Sequence, residues 1–332
     1  MTAGAWSAPG KLVLGGEYAV LHGYPAIAAA VSRRARVIFA ETGGDVIEVE
    51  TRGFRPGRWR LRAGRRGLAV PADAPLGLLA QAWAACAPDA RGLRLVLDTG
   101  AFSAADGRKL GIGSSAALAV ALTAALSDET EADALAARAG RVHSRFQGGV
   151  GSGIDVACAA HGGIVLFRDG AVERQDAALP SGLHCAVLWS GRPSSTPVRI
   201  AQLDRDLQQA GARASLAALG RAAETLAETW RGDDADTIVG GLADWTAALE
   251  RFDRDLGLGI FAGGHAELAA AARHAGIVFK PCGAGGGDVG AAFSCDPHAL
   301  EAFAERAGES GFETLGLSLG AAGAKRDGQA SC

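Results

Sequence analysis

Gly111-Ile112-Gly113-Ser114-Ser115, running on into the apolar stretch Ala116-Ala117-Leu118-Ala119-Val120-Ala121-Leu122, decides how this chain is read. Its two glycines free the backbone to turn N–H groups toward an anion, and a helix starting directly behind them adds the positive end of its dipole. The stretch reads as a triphosphate cradle. Amides of the loop and first helical turn would face the β- and γ-phosphates, and the Ser114 and Ser115 hydroxyls are placed to bond phosphate or ligate Mg²⁺. It lacks both the Gly-Lys-Ser/Thr of a Walker loop and the spacing of a dinucleotide fingerprint. A plain serine cap on the helix is the alternative reading.

Two further glycine-rich stretches lie far from the first, Ala8-Pro9-Gly10-Lys11 and Gly283-Ala284-Gly285-Gly286-Gly287-Asp288. The allocation of lysine ties the three together. The chain takes its positive charge almost wholly from arginine, and its only lysines are Lys11, Lys109, Lys280 and Lys325. Lys11 closes one glycine stretch, Lys109 leads into the second and Lys280 into the third. A compact ammonium on a flexible stem meets a phosphate as a point charge, so these three lysines are expected to be phosphate ligands.

A length of 332 residues suggests about two domains. The net charge of −3 argues against a nucleic-acid partner, for which a basic excess is expected. Six cysteines are scattered without a Cys-x-x-Cys pair, so neither a zinc site nor a disulfide framework is indicated and reduced, cytosolic thiols are expected. No stretch approaches the roughly 20 apolar residues of a membrane span, and the start carries no signal-peptide run. A cytoplasmic protein that meets no membrane is the expectation.

Apolar patterning predicts strands over 12–20, 26–40, 46–51, 59–62 and 93–98, helices over 76–87, 116–126 and 129–146, and short strands over 164–167 and 185–189. Residues 197–275 read as almost all helix. The chain then closes with strand 277–280, strand 291–294, helix 297–308 and strand 313–319, and the small, polar tail from 321 is expected to fray. This change of character suggests two α+β domains.

Gly148-Gly149-Val150-Gly151-Ser152-Gly153-Ile154-Asp155 places one carboxylate between a glycine turn and an apolar segment. Poorly solvated there, Asp155 should meet a cation or accept a proton, unless it merely caps the helix behind it. The set now resembles the GHMP kinase superfamily, through residues 8–21, 109–117 and 280–290 in order, and covers nearly the full chain. Within it, residues 147–157, the stretch Ser190-Gly191-Arg192-Pro193-Ser194-Ser195-Thr196 and the triple glycine with Asp288 are most similar to the phosphomevalonate kinases. Gly149 stands where members of that group often have lysine, and Cys282 where serine is common.

The resemblance implies an α+β fold in two domains, 1–190 like ribosomal protein S5 domain 2 and 191–332 ferredoxin-like, with ATP and substrate between them. It implies ATP and Mg²⁺ as cofactors and mevalonate 5-phosphate as the small-molecule partner, in a monomer or homodimer. Lys11 and Asp155 would be catalytic. Lys109, Gly111, Gly113, Ser114, Ser115 and Ala116 would hold the nucleotide, with Ser115 also a metal ligand. Tyr18, Ser152, Ser194, Ser195, Thr196, Lys280 and Gly285 would bind the acceptor. His22, His143 and His161 lack paired metal-ligand spacing and are read as structural.

Overall fold

The computed structural model describes residues 3–64, 67–86, 92–194 and 196–328. Its frame is a pair of long antiparallel strands, β1 (Gly4–Gly15) and β2 (Ala26–Glu41). The chain continues through β3 (Val46–Arg52), β4 (Gly57–Gly64), β5 (Gly67–Leu68), α1 (Gly77–Cys86) and β6 (Leu93–Asp98). Helices α2 (Ser114–Ser127), α3 (Ala132–Phe146) and α4 (Ile154–His161) follow, then β7 (Ile164–Arg168), β8 (Ala171–Asp176) and β9 (His184–Trp189). Helices α5 (Thr196–Asp206), α6 (Ala210–Trp230), α7 (Ala235–Leu256) and α8 (His265–His274) come next. The last elements are β10 (Val278–Pro281), β11 (Val289–Ser294), α9 (Pro297–Glu309), β12 (Glu313–Leu315) and β13 (Lys325–Asp327).

The strands form two sheets. The first runs β13-β1-β2-β6-β3-β4-β5, with β7 pairing the start of β2 and β8 pairing β7; β3 and β6 are parallel and the other pairs antiparallel. The second is the antiparallel set β10-β11-β9-β12. Strand β9 therefore pairs away from the first sheet, although the expected division at 190 assigns it to the N-terminal half. The tail also departs from expectation. Residues 325–327 pair with Ala5, Trp6 and Ser7, and the Ser7 hydroxyl donates to Asp327 at 2.9 Å, so this part of the tail is a strand and not a frayed end. The final predicted strand is shorter than expected, ending at Leu315.

The burial of β2 explains how the helices come close to the frame. Its first six residues, Ala-Ile-Ala-Ala-Ala-Val, are buried on both faces, and alternation with exposed residues begins only beyond them. Ala26, Ala28 and Ala30 pack against Ile154, Ala157 and Cys158 of α4 in one apolar cluster. Small side chains on both partners let the α4 backbone approach the strand, which sets the depth of its first turn. Helix α2 is buried nearly all round, as expected of a central helix whose alanines meet β1 on one side and α1 and α3 on others. The second half packs α6 against α7, with Trp230 and Trp245 fully buried in the largest core cluster.

Candidate functional site

The first glycine stretch is not a loop. Pro9, Gly10 and Lys11 lie inside β1, where pairing with β2 slips by a bulge between Pro9 and Gly10. The Lys11 amide donates to the Ile112 carbonyl at 2.9 Å, and a Cβ on Gly10 would overlap that same carbonyl oxygen. Glycine is required here because the second loop lies directly on the strand. Lys11 thus leaves a rigid strand beside the start of α2, not the end of a mobile loop.

Gly113 is the residue before α2, in the left-handed region (φ 83°), and no side chain caps the helix. Ser114 and Ser115 are consequently inside the first turn and do not cap it. The first N–H groups of a helix have no partner within it, so this end presents open donors backed by the helix dipole. Helix α4 begins similarly, with Gly153 before it (φ 88°), but here the Ser152 hydroxyl accepts from the Ile154 amide at 3.4 Å; Asp155 stands in its first turn. Asp155 Oδ1 lies 3.2 Å from the Lys11 ammonium. Burial opposes the charge on Lys11, but the charge of Asp155 and the hydrogen bond to it outweigh that, and the ammonium is held above its ordinary range.

A cavity of about 180 Å³ opens beside this pair. It is lined by Lys11, Val13, Glu17, Tyr18, Val20 and Leu21 from the β1 side, Gln147 and His143 from α3, the 151–155 segment, Ile200 of α5, and Gly283 and Ala284 of the third loop. Of the expected acceptor ligands, Tyr18 and Ser152 line it. The Tyr18 hydroxyl donates to the Ala284 carbonyl at 2.6 Å, and burial pushes its pKa well up, so it stays a neutral donor.

The other expected acceptor ligands are placed differently. Ser194 Oγ donates to the Gly285 carbonyl at 2.6 Å and accepts from Arg199 at 3.1 Å, which ties both Ser194 and Gly285 into the support of the third loop. Ser195 lies outside the described residues, and Thr196 opens α5. Lys280 is overturned as a phosphate ligand. It is fully buried, its ammonium bonded to the Glu17 carboxylate and 3.2 Å from the Val13 carbonyl, with Cys282 Sγ at 3.8 Å. A buried ammonium needs a counter-charge, and β10 supplies Lys280 where Glu17 can give it one. Burial pushes the Cys282 thiol up to about 11, so this cysteine is a neutral packing group.

Sequence reasoning read His143 as structural and gave it no place at the site. Its Nε2 is 3.0 Å from Ser115 Oγ, and burial lowers its pKa, so a neutral ring meets the hydroxyl expected to ligate metal. Its position twelve residues before Asp155, on a different helix, gave no local signal. Glu17 and Asp288 lie within the motifs, where the sequence alone gives them no role. Asp288 sits at φ 51°, bonds the Ser194 amide at 3.2 Å, and lies where a Cβ on Gly111 would overlap its carboxyl. The second and third loops are therefore in contact.

Comparison with known proteins now decides the family. The model of the GHMP kinases N terminal domain matches residues 80–163. The chain is 32% identical to a phosphomevalonate kinase of Streptomyces sp. (strain CL190), over 86% of this chain and 88% of that one. The chain belongs to the GHMP kinase superfamily. It is also 34% identical to a mevalonate kinase of Methanothermobacter thermautotrophicus, over 48% of this chain and 49% of that one. A solved structure of Streptococcus pneumoniae phosphomevalonate kinase in complex with phosphomevalonate and AMPPNP has the same fold, with a TM-score of 0.79 at 20% identity, covering 95% of this chain and 99% of that one. Members of this superfamily are ATP-dependent small-molecule kinases, and the two-sheet α+β architecture is theirs.

The residues fit a magnesium triphosphate. Among the described residues no group of three acidic, histidine or cysteine side chains could hold a metal by itself. Mg²⁺ is commonly held by substrate phosphates with one or two protein oxygens, and Ser115 Oγ beside the open end of α2 offers one. No helix among the described residues is long and apolar enough to cross a membrane.

Proposed function

We propose that this kinase transfers the γ-phosphoryl group of ATP to the phosphate of mevalonate 5-phosphate, giving mevalonate 5-diphosphate and ADP. The observation that carries the reading is the Lys11–Asp155 pair, 3.2 Å apart, between the uncapped end of α2 and the cavity. Two anions must be brought together in this reaction, so neutralisation of charge matters more than removal of a proton. The open amides of α2 and the Ser114 hydroxyl take the triphosphate, with Lys109 beside them. Bound Mg²⁺ would neutralise and orient the phosphates, with Ser115 as its protein ligand. Lys11 meets the transferring group, and Asp155 keeps that ammonium aimed while orienting the acceptor.

The acceptor body fits among Val13, Tyr18, Val20, Leu21 and Ile200. Glu17 spends one carboxylate oxygen on Lys280 and leaves Oε2 buried without a partner among the described residues, ready to accept from an acceptor hydroxyl. The acceptor phosphate is assigned to the N-terminus of α5, where the sequence supplies Ser194, Ser195 and Thr196 as the expected ligands. One observation favours a second reading. Among the described residues Lys11 is the one lysine or arginine lining the cavity, which suits a neutral alcohol such as mevalonate better than a dianion. Measuring ADP release with mevalonate 5-phosphate, mevalonate, galactose and homoserine separates the two. Turnover is expected to be far highest with mevalonate 5-phosphate; preference for free mevalonate would establish the second reading.

A further inference from the structure

The lysines expected at phosphates are held by different kinds of partner. Lys11 faces Asp155 and Lys280 faces Glu17. Lys109 has no carboxylate within ion-pair distance among the described residues; its ammonium lies 3.7 Å from the centre of the Phe54 ring. Phe54 is 48% exposed, on the turn between β3 and β4, and so contributes little to a core. That turn is nevertheless fixed. The Thr51 hydroxyl donates to the Arg55 carbonyl at 2.8 Å, Arg55 is held at φ 50°, and Gly53 packs so tightly on the backbone of Thr99 and Gly100 that a Cβ would overlap it.

We propose that Phe54 is the positioning residue for Lys109, parking its ammonium at the mouth of the second glycine loop and surrendering it to the incoming nucleotide. The inference rests on the reading of that loop as the triphosphate cradle. An aromatic face attracts an ammonium through its quadrupole while adding no formal negative charge. A carboxylate in the same place would repel the triphosphate and compete with it for the lysine. The ring is the weaker partner. A charge-assisted bond to a phosphate oxygen exceeds an exposed cation–π contact, so the lysine transfers when the nucleotide arrives. Arg55, 5.6 Å from the same ring, and Asp288 act on Lys109 with opposite sign, and neither forms an ion pair with it among the described residues.

The chain has only four lysines, so lysine-labelled protein gives a resolvable NMR spectrum. The ε-methylene protons of Lys109 are expected upfield from the ring current, to lose that shift in Phe54→Ala, and to lose it in the wild type on saturation with Mg·ADP. Calorimetric titration with ATP supplies the second arm. Because the ring contact is given up on binding, Phe54→Ala should tighten ATP binding roughly two- to five-fold, Phe54→Tyr should return it to the wild-type value, and Phe54→Ala should have no further effect once Lys109→Met is present. Weaker binding in Phe54→Ala, or an equal change in the Lys109→Met background, would mean that the ring acts on the nucleotide directly, and overturns the proposal. So would a wild-type Lys109 without a ring shift. A protein that has the ring shift yet binds no nucleotide would overturn the kinase reading itself, and this proposal with it.

Discussion

The second and third glycine loops look alike in sequence and do opposite things. In the second, Gly111 and Gly113 turn the backbone so that α2 begins without a cap and its first amides stay open. In the third, carbonyls in particular are occupied. The Ala284 carbonyl takes the Tyr18 hydroxyl, the Gly285 carbonyl takes Ser194, the Gly286 amide reaches the Ile260 carbonyl at 2.6 Å, and the Gly287 carbonyl lies 3.2 Å from His265 Nε2. One loop leaves open the donors that the proposed function assigns to the triphosphate. The other is a clasp that joins the second sheet and its helices to the cavity wall. Glycine density reports backbone freedom in both cases, and only the fate of the amides and carbonyls separates a ligand loop from a structural one.

The largest effect should come from the pair between the two loops. Lys11→Ala and Asp155→Asn are each expected to lower kcat on the order of 10² to 10³ without loss of fold, as for other stabilisers of transition-state charge. Steady-state kinetics beside circular dichroism checks this, and near-normal kcat in either variant removes that residue from the chemistry.

The clasp should then prove acid-sensitive. Burial pushes His265 down to about 4, so its stabilising contribution is complete above the unfolded value near 6.5 and is lost as pH falls toward 4. The loss should approach about 3 kcal/mol for this group alone. Denaturant titrations between pH 7 and pH 4 in the wild type and in His265→Gln read it as a difference in slope. Parallel slopes would show that His265 does not couple the third loop to pH.

The receiving loop should respond to a single methyl group. Gly111 sits at φ 77° against Asp288, so Gly111→Ala is strained by roughly 1 to 3 kcal/mol, and KM for ATP should rise about five- to 150-fold. Gly140→Ala, in α3 with open space around it, is the control and should leave KM unchanged. A matching rise in both would place the effect outside the loop.

What was legible in the sequence was local. Residues 93–98 form β6 as the alternation predicts, the helix after Ser114 and Ser115 is there, and Asp155, expected to meet a cation, meets Lys11 from 144 residues away. Features set by distant pairing were not legible. Pro9 and Gly10 read as a loop because a strand bulge has the same residues as a turn. Lys280 read as a ligand because nothing near it in sequence announces Glu17, 263 residues away. The tail strand depends on β1, and His143 acquires its place only when α3 lies along α2.

Transfer of a phosphoryl group onto a phosphate can be watched by phosphorus NMR of the protein with ATP, Mg²⁺ and mevalonate 5-phosphate. The monoester singlet is expected to disappear while two mutually coupled doublets of a diphosphate ester grow in beside ADP. An unchanged monoester singlet, with free mevalonate instead converted to a new one, would contradict it.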